Sequence, residues 1–409
     1  MDTKNKYIKR TLEPVLKKAA AEFPAVVLTG PRQSGKTTLL KHLFNKSHEY
    51  VSLELPDINA SAVNDPRGFL EMYPPPVIFD EVQYAPNLLS YIKEYIDSNR
   101  SKHGQYILTG SHNLLLIRHV TESLAGRAAI LKLLPLSYKE IVNNPHSKLP
   151  WESTNTPHKH RELSYNYLWK SLIRGGYPEL VTEPYRDITL WHASYVQTYL
   201  ERDVRILRQV GNLTLFQNFL RMIAIQSSQL LNLTDISRDL GVAVNTIKAW
   251  LSILEATYQI IVLRPYFANI GKRLVKTPKV YFTDVGTLCY LAGLKDPEHA
   301  ASGPMGGAIF ETAVLSELIK TFIHRGREPQ IYFWRTTAGT EIDIIIEFSG
   351  KLIPIEVKLS STPRISMASE IKIFQKDFKN RSAKGYIIHP GDIQLPLGSN
   401  VIALPFANL

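Results

Sequence analysis

The sequence predicts an α/β protein of more than one domain, and three observations carry that expectation. A glycine-rich loop joins an apolar strand to a helix near the start, short apolar strands alternate with helices through the first third, and a terminal hairpin alternates carboxylates with isoleucines. At 409 residues the chain exceeds what one hydrophobic core usually serves, so two or three domains are expected. With 44% hydrophobic and 21% charged residues it has the balance of a globular protein. The lone Cys289 excludes an internal disulfide framework and a cysteine zinc site, and fits a reducing cytoplasm. The opening MDTKNKYIKR is polar and basic with no apolar signal segment behind it, and no apolar run approaches the roughly 20 residues of a membrane span. A cytoplasmic location is expected. The net charge of +11 favours a polyanionic partner.

The first element is the stretch AVVLTGPRQSGKTTLLKHLF. Ala25 to Thr29 reads as a strand, Gly30-Pro31-Arg32-Gln33-Ser34-Gly35-Lys36-Thr37-Thr38 as the loop, and a helix follows. This is the strand, loop and helix context of a phosphate-binding loop. Its glycines let backbone N–H groups wrap phosphates at the helix N-terminus, where the helix dipole favours negative charge. Lys36 would reach the β and γ phosphates of ATP, and the Thr37 hydroxyl would ligate Mg²⁺. A second short strand, in PPPVIFDEVQ, ends in Asp80-Glu81. Asp80 would hold Mg²⁺ through water, and Glu81 would polarise the attacking water.

Strand-like runs at Glu49–Glu54, Val77–Phe79, Gln105–Thr109 and Ala128–Leu133, with helical stretches such as Leu88–Asn99 between them, predict a parallel sheet with helices on both faces. A strand intervenes between the phosphate loop and Asp80, so those two strands need not be neighbours in sequence to be adjacent in space. These motifs resemble the AAA+ ATPases, whose fourth strand ends in a polar sensor. That resemblance offers Thr109, Ser111 and Asn113 for the post, with Ser111 preferred at the nucleotide. It also implies a finger arginine just before the fifth strand, where Arg127 stands in LAGRAAILKLL. In order along the chain, LTGPRQSGKTTLL, IFDEVQ, ILTGS, LAGR, GGYPE, YLERDV and EIDIII…IEVK resemble a family of bacterial and archaeal AAA+ ATPases with a long-uncharacterised C-terminal domain.

The middle begins with a polar, proline-rich stretch at 143–163, expected to be a loop or linker. A helix is expected around Trp191–Arg208, with Glu201 and Arg205 spaced as an i,i+4 pair. Arg174, before GGYP, is a candidate nucleotide contact from a lid. Residues 206–280 carry nine Lys or Arg against three acids, a net of +6. Within them LTDISRDLGVAVNTIKAWLSILE has the pattern of a helix-turn-helix, with Thr234 as cap, Gly241 in the turn and a second helix from Val244 or Asn245. Ile247, Leu251 and Leu254 would face the core while Asn245, Thr246 and Lys248 point outward near the helix start, where a recognition helix meets base edges. Strands in QIIVLRPYF and KVYFTD would flank a wing carrying Lys272, Arg273 and Lys276 to DNA phosphates.

The tail reads as helix (Ala308–Phe322), strand (Ile331–Trp334), hairpin, helix (Ser366–Phe378) and strand (Gly385–Ile388). A turn at Ser349-Gly350 pairs Ile342 with Val357, Ile344 with Ile355 and Ile346 with Ile353, giving one apolar face. The opposite face then sets Asp343 against Glu356 and Glu341 against Lys358. Carboxylates directly across a ladder repel, so either water solvates them or something positive sits between them. Pro354 lacks a ladder donor and suggests an edge or a bulge. This order, with Asp343 followed by Glu356-x-Lys358, resembles the PD-(D/E)XK nuclease fold. The resemblance implies Mg²⁺ on Asp343 and Glu356, Lys358 positioning water, and an acid from the first helix, Glu311 in preference to Glu317.

The expected architecture is thus an AAA+ ATPase domain with a helical lid (1–205), a winged helix (206–295) and an α/β PD-(D/E)XK-like domain (296–409). The expected activity is ATP hydrolysis coupled to binding or remodelling of duplex or branched DNA, with Arg127 acting within one chain or across a homo-oligomer. Two other outputs stay open: a regulatory switch whose tail binds a protein, and an ATP-regulated, metal-dependent nuclease.

Overall fold

The structure is a computed structural model and describes residues 7–110, 120, 122–152, 163–200, 212–267 and 277–409, without the side chains of 199 and 200. The first sheet has strands β1 (Ala25–Thr29), β2 (Glu49–Ser52), β3 (Val77–Asp80), β4 (Tyr106–Thr109) and β5 (Ala128–Lys132). All pair in parallel, in the order β2-β3-β4-β1-β5. Helix α1 (Glu13–Glu22) precedes β1, and α2 (Lys36–Phe44), α3 (Pro56–Asn64), α4 (Pro66–Met72) and α5 (Leu88–Ser98) lie between the strands. Alternate strand residues serve opposite faces: Ala25 and Val27 pack with Phe79, Leu89 and Ile92, whereas Val26 and Leu28 pack with Ile78, Leu39 and Leu40. Burial on both faces explains why these strands are continuously apolar. Strand β4 lies between β1 and β3, so the phosphate-loop strand and the Asp80 strand stand one strand apart and not side by side.

Beyond β5 come α6 (Tyr138–Ile141), α7 (Tyr165–Arg174), α8 (Pro178–Thr182) and α9 (Ile188–Tyr195), the last running into a π-helical turn at 196–200. Glu201 and Arg205 lie outside the described residues. Part of the expected linker is docked: Trp151 packs against Tyr386, and Glu152 takes Arg325 at 2.8 Å.

The middle contains α10 (Leu213–Ile225), α11 (Leu233–Leu240), α12 (Val244–Ala256), an antiparallel pair β6 (Ile260–Leu263) and β7 (Lys279–Phe282), then α13 (Val285–Leu291) and α14 (Pro297–Ser302). Asn232, not Thr234, caps α11, accepting from the Thr234 and Asp235 N–H groups. Gly241 makes the turn in the left-handed region (φ 65°). Ile247 and Leu254 are fully buried and Leu251 packs against the same cluster.

The tail opens with α15 (Gly306–His324), followed by β8 (Ile331–Arg335), β9 (Glu341–Phe348), β10 (Lys351–Val357), α16 (Ser369–Asp377), β11 (Gly385–His389), β12 (Leu395–Pro396) and β13 (Val401–Pro405). The sheet order is β12-β13-β11-β10-β9-β8, with β10 and β11 parallel and the β8-β9-β10 meander antiparallel. One hydrophobic core runs from Leu134 through the middle to Leu409 and encloses α15, which is buried almost all round. A helix apolar on every side needs packing partners on every side.

The hairpin register agrees with expectation at Ile344–Ile355 and Ile346–Ile353. The single apolar face does not. Tyr332 and Trp334 of β8 face Ile345 and Ile342, so β9 carries one extra residue, a bulge at Asp343-Ile344. Ile342 and Ile345 therefore pack toward α16, while Ile344 and Ile346 join the larger core. Pro354 sits in an interior strand, just before pairing with β11 begins at Ile355, so it marks neither an edge nor the bulge.

Candidate functional site

Parallel pairing brings the C-terminal ends of β1, β4 and β3 to one edge, and the nucleotide residues collect there. Gly35 lies at φ 93°, a conformation glycine supplies without strain, and begins α2. Lys36 folds over the loop and donates to the Gly30 and Pro31 carbonyls at 3.0 Å each. The Thr37 hydroxyl donates to Asp80 Oδ2 at 2.8 Å. Tyr50 donates to the same oxygen at 2.6 Å, and Thr109 donates to Asp80 Oδ1. Glu81 follows in the left-handed region (φ 58°) and accepts from the Gln83 amide. A non-glycine residue held there is strained, and such strain concentrates where a side chain must be aimed. Ser34 Oγ is buried with no hydrogen-bond partner among the described residues, which suits a loop built to receive phosphate oxygens. Ser111 and Asn113 lie outside the described residues.

A cavity of about 530 Å³ opens over this edge, lined by Arg32, Gln33, Lys36, Thr37, Thr38 and Glu81. Its other walls come from Tyr7, Ile8 and Arg10, and from Pro178, Glu179, Thr182 and Glu183 around α8. The GGYPE motif thus belongs to the nucleotide wall. Arg174 does not contact that cavity: it donates to the Leu180 and Glu183 carbonyls, both at 2.6 Å, closing the C-terminal end of α8. The Gly176 N–H donates to Asp284 at 2.7 Å, and a Cβ on Gly175 would lie 2.6 Å from the same carboxylate. The wall is therefore fastened to the N-terminus of α13.

Residues that sequence reasoning missed fasten the loop to the tail. Arg10 donates to Ser34 O at 2.9 Å and to Leu134 O at 2.7 Å, and its Nε lies 3.2 Å from Glu140 Oε1. Glu140 also accepts from the Thr11 and Ser137 N–H groups at 2.7 and 3.0 Å, and sits 3.2 Å from Nδ1 of His324 on α15. Burial alone would raise the Glu140 pKa, but Arg10 and His324 outweigh it and hold it well below the usual range. Burial pushes His324 down; its Nε2 accepts the Leu134 N–H at 3.1 Å, so the ring is neutral there. Glu317 caps α6 through Tyr138 and Lys139, and so is removed from the hairpin carboxylates.

In the tail, Glu311, Asp343 and Glu356 do come into one neighbourhood, with two lysines among them. Lys279 Nζ lies 2.5 Å from Glu341 and 3.5 Å from Glu311, and Lys358 Nζ lies 2.5 Å from Glu356. Tyr281 donates to Glu311 at 2.6 Å, and Asp343 accepts the Val357 N–H at 2.8 Å. The expected Glu341–Lys358 pair is replaced by Glu341 with Lys279 and Arg335, and the solvated-face alternative fails because Glu356 is only 1% exposed. Burial and then Asp343 raise Glu311 to about 7 and Glu356 well above the carboxylate range; burial raises Asp343. Among the described residues no three or more His, Cys, Asp or Glu side chains are arranged to hold a metal ion. The charge that relieves the repulsion is ammonium, and this donor set as it stands does not fit Mg²⁺.

The remaining candidates are dispersed. Arg127 forms a bidentate pair with Asp97 at 2.8 and 2.9 Å, and its carbonyl bonds Ala25 at the sheet edge opposite the phosphate loop, so it does not reach this chain's nucleotide cavity. Asn245 and Lys248 are exposed and Thr246 half-buried at the start of α12. Lys272, Arg273 and Lys276 lie outside the described residues. Among the described residues no helix is long and apolar enough to cross a membrane.

Five parallel strands and a lysine-bearing loop facing an acidic strand end define a P-loop ATPase domain, and residues 22–142 match the AAA domain family. Residues 165–298 and 306–409 match two domains of unknown function, DUF8612 and DUF4143. An uncharacterized protein of Mycobacterium tuberculosis is 30% identical over 392 residues, covering 95% of this chain and 82% of its own length. The chain belongs to the family of that mycobacterial protein. An uncharacterized protein of Methanocaldococcus jannaschii is 23% identical, covering 87% of this chain and 78% of its own length. The Walker-type ATPase paby2304 of Pyrococcus abyssi aligns at 18% identity with a TM-score of 0.47, covering 70% of this chain and 97% of that one.

Proposed function

We propose that this protein hydrolyses ATP and uses the turnover to bind or remodel DNA. The observation that carries the ATPase reading is the convergence of Lys36, Thr37 and Glu81 on one cavity, with Thr37 bonded to Asp80 and Asp80 to Thr109. The Thr37 hydroxyl and Asp80 carboxylate are hard oxygen donors 2.8 Å apart, the set that accompanies Mg²⁺ on nucleotide phosphates. When bound there, that ion neutralises charge on the transferred phosphoryl group. The loop amides and Lys36 hold the phosphates, Thr109 and Tyr50 fix Asp80, and Glu81 orients the attacking water. Arg127 serves the nucleotide of a neighbouring copy, if it serves one, because of its place at the far sheet edge.

The DNA reading is supported by the +11 charge, by the net +6 of residues 206–280, and by the exposed Asn245 and Lys248 at a helix start. The helix-meander-helix-strand order α15-β8-β9-β10-α16-β11 supports a nuclease-like tail, whereas the lysine pairing of its carboxylates favours binding without cleavage. The test is ATP turnover with and without duplex, single-stranded and four-way DNA. Turnover stimulated by DNA and absent in Lys36→Ala supports the reading. No DNA affinity at low salt sinks the DNA half and leaves the regulatory switch.

A further inference from the structure

The tail gathers positive charge on one outer face. Of the twelve Lys and Arg residues between 306 and 409, five fall within SEIKIFQKDFKNRSAK, residues 369–384, against only Glu370 and Asp377. Ile371 and Phe374 of α16 pack onto the sheet with Ile345 and Leu352, so Lys372 and Lys376 are left exposed on the other side of the helix. The segment after α16 is bonded to the start of β10: the Leu352 N–H donates to the Arg381 carbonyl and the Ala383 N–H to the Leu352 carbonyl, both at 2.8 Å. Lys351 donates to the Asn380 carbonyl at 3.1 Å, and Gln375 donates to the Ala383 and Asn400 carbonyls at 3.0 and 3.1 Å. These bonds set Lys351, Lys372, Lys376, Lys379 and Lys384 on one framework, all exposed and none in an ion pair among the described residues. Like charges gathered in this way repel one another and raise the local potential, which draws a polyanion.

We propose that this face is a docking surface for the phosphate backbone of duplex DNA, separate from both the start of α12 and the tail carboxylates. It rests on the DNA reading for its partner and goes beyond that reading by placing a contact in the tail. Lys351 begins β10 and Glu356 stands near its other end, about 17 Å along the strand, so a duplex held here is not held at the carboxylates. Separate ammonium groups on several segments suit a polymer that repeats its charge along its length. The cation able to read a base through paired donors, Arg381, is committed to Glu347 at 2.6 Å and to Tyr266 at 2.8 Å. The surface therefore recognises phosphate and not sequence. A lipid surface needs apolar anchors beside the charge, and Ile373 is the one large apolar side chain that α16 exposes.

The experiment is fluorescence anisotropy of labelled duplex DNA of two unrelated sequences, titrated with the nucleotide-free full-length protein over a salt series, with circular dichroism reporting folding. Lys372→Gln, Lys376→Gln and Lys379→Gln combined should weaken both duplexes equally, at least about tenfold, and lower the log–log salt slope by about 3. Asp377→Asn removes the acid that stands among those lysines and should tighten binding. A triple variant that binds like wild type, or an Asp377→Asn variant that binds no tighter, overturns the proposal. Such a failure beside a loss in Lys248→Glu removes this surface alone and leaves the DNA reading standing, whereas no duplex binding by wild type at low salt removes both. Capture of phosphatidylserine vesicles that is lost in the triple variant, without duplex binding, also overturns it.

Discussion

At Asp80, three hydroxyls converge on one carboxylate, from Thr37, Tyr50 and Thr109. Its neighbour Glu81 is held at positive φ, so the two acids are fixed separately, one over the loop and one toward the cavity. Glu81→Gln keeps the shape and removes the base, so ATP binding should persist while turnover falls roughly 10²- to 10⁴-fold; nucleotide binding and phosphate release on the same preparation check this. In the tail, Glu311 is raised from 4.5 to about 7 by burial and Asp343. The folded protein then binds more protons than the unfolded chain across that window. Its stabilising contribution is full below about 4.5 and is lost as pH rises through about 7. Urea unfolding at about pH 5 and about pH 8 should show the wild-type advantage over Glu311→Gln shrinking with rising pH; an advantage that grows contradicts the assignment.

Among the elements, α15 has the widest reach. One end brings Glu311 to Lys279 and Tyr281, and the other brings His324 to Glu140, which meets Arg10 and through it the phosphate loop. Glu140→Gln would leave Arg10 without its buried counter-charge, at a cost of roughly 3–5 kcal/mol in urea unfolding. The short α8 wall is held by Arg174, so Arg174→Ala should raise the KM for ATP more than it lowers kcat; the reverse pattern would return Arg174 to the chemistry. The phosphate loop, the Asp80 strand and the hairpin register from its turn to Ile344–Ile355 were legible in sequence because each is written in a few consecutive residues. The bulge at Asp343 was not, because the β8 pairing that forces it is invisible from β9 alone. Arg10 with Leu134 and Lys279 with Glu341 were also hidden, since such pairs exist only once distant elements meet. Thr109 was visible as a polar strand end; Tyr50 read only as a strand residue.

Across the whole molecule, the phosphate loop, the α8 wall, α13 and α15 are joined through buried polar contacts, and one apolar core continues from the middle into the tail. Such an arrangement ties the cavity to the middle and the tail through contiguous contacts. If the basic middle meets DNA, affinity falls with salt, and Lys248→Glu should weaken duplex binding and lower the log–log salt slope by about 1 for one lost phosphate contact; filter binding over a salt series reads both. The central claim is that the Lys36–Thr37–Asp80–Glu81 edge hydrolyses ATP and that DNA governs the rate. Steady-state ATP turnover with Mg²⁺, with and without four-way and duplex DNA, tests it most directly. The account predicts turnover in wild type that rises with DNA and vanishes in Lys36→Ala and Glu81→Gln. Turnover that is absent in folded wild type, or that persists in both variants, would contradict it.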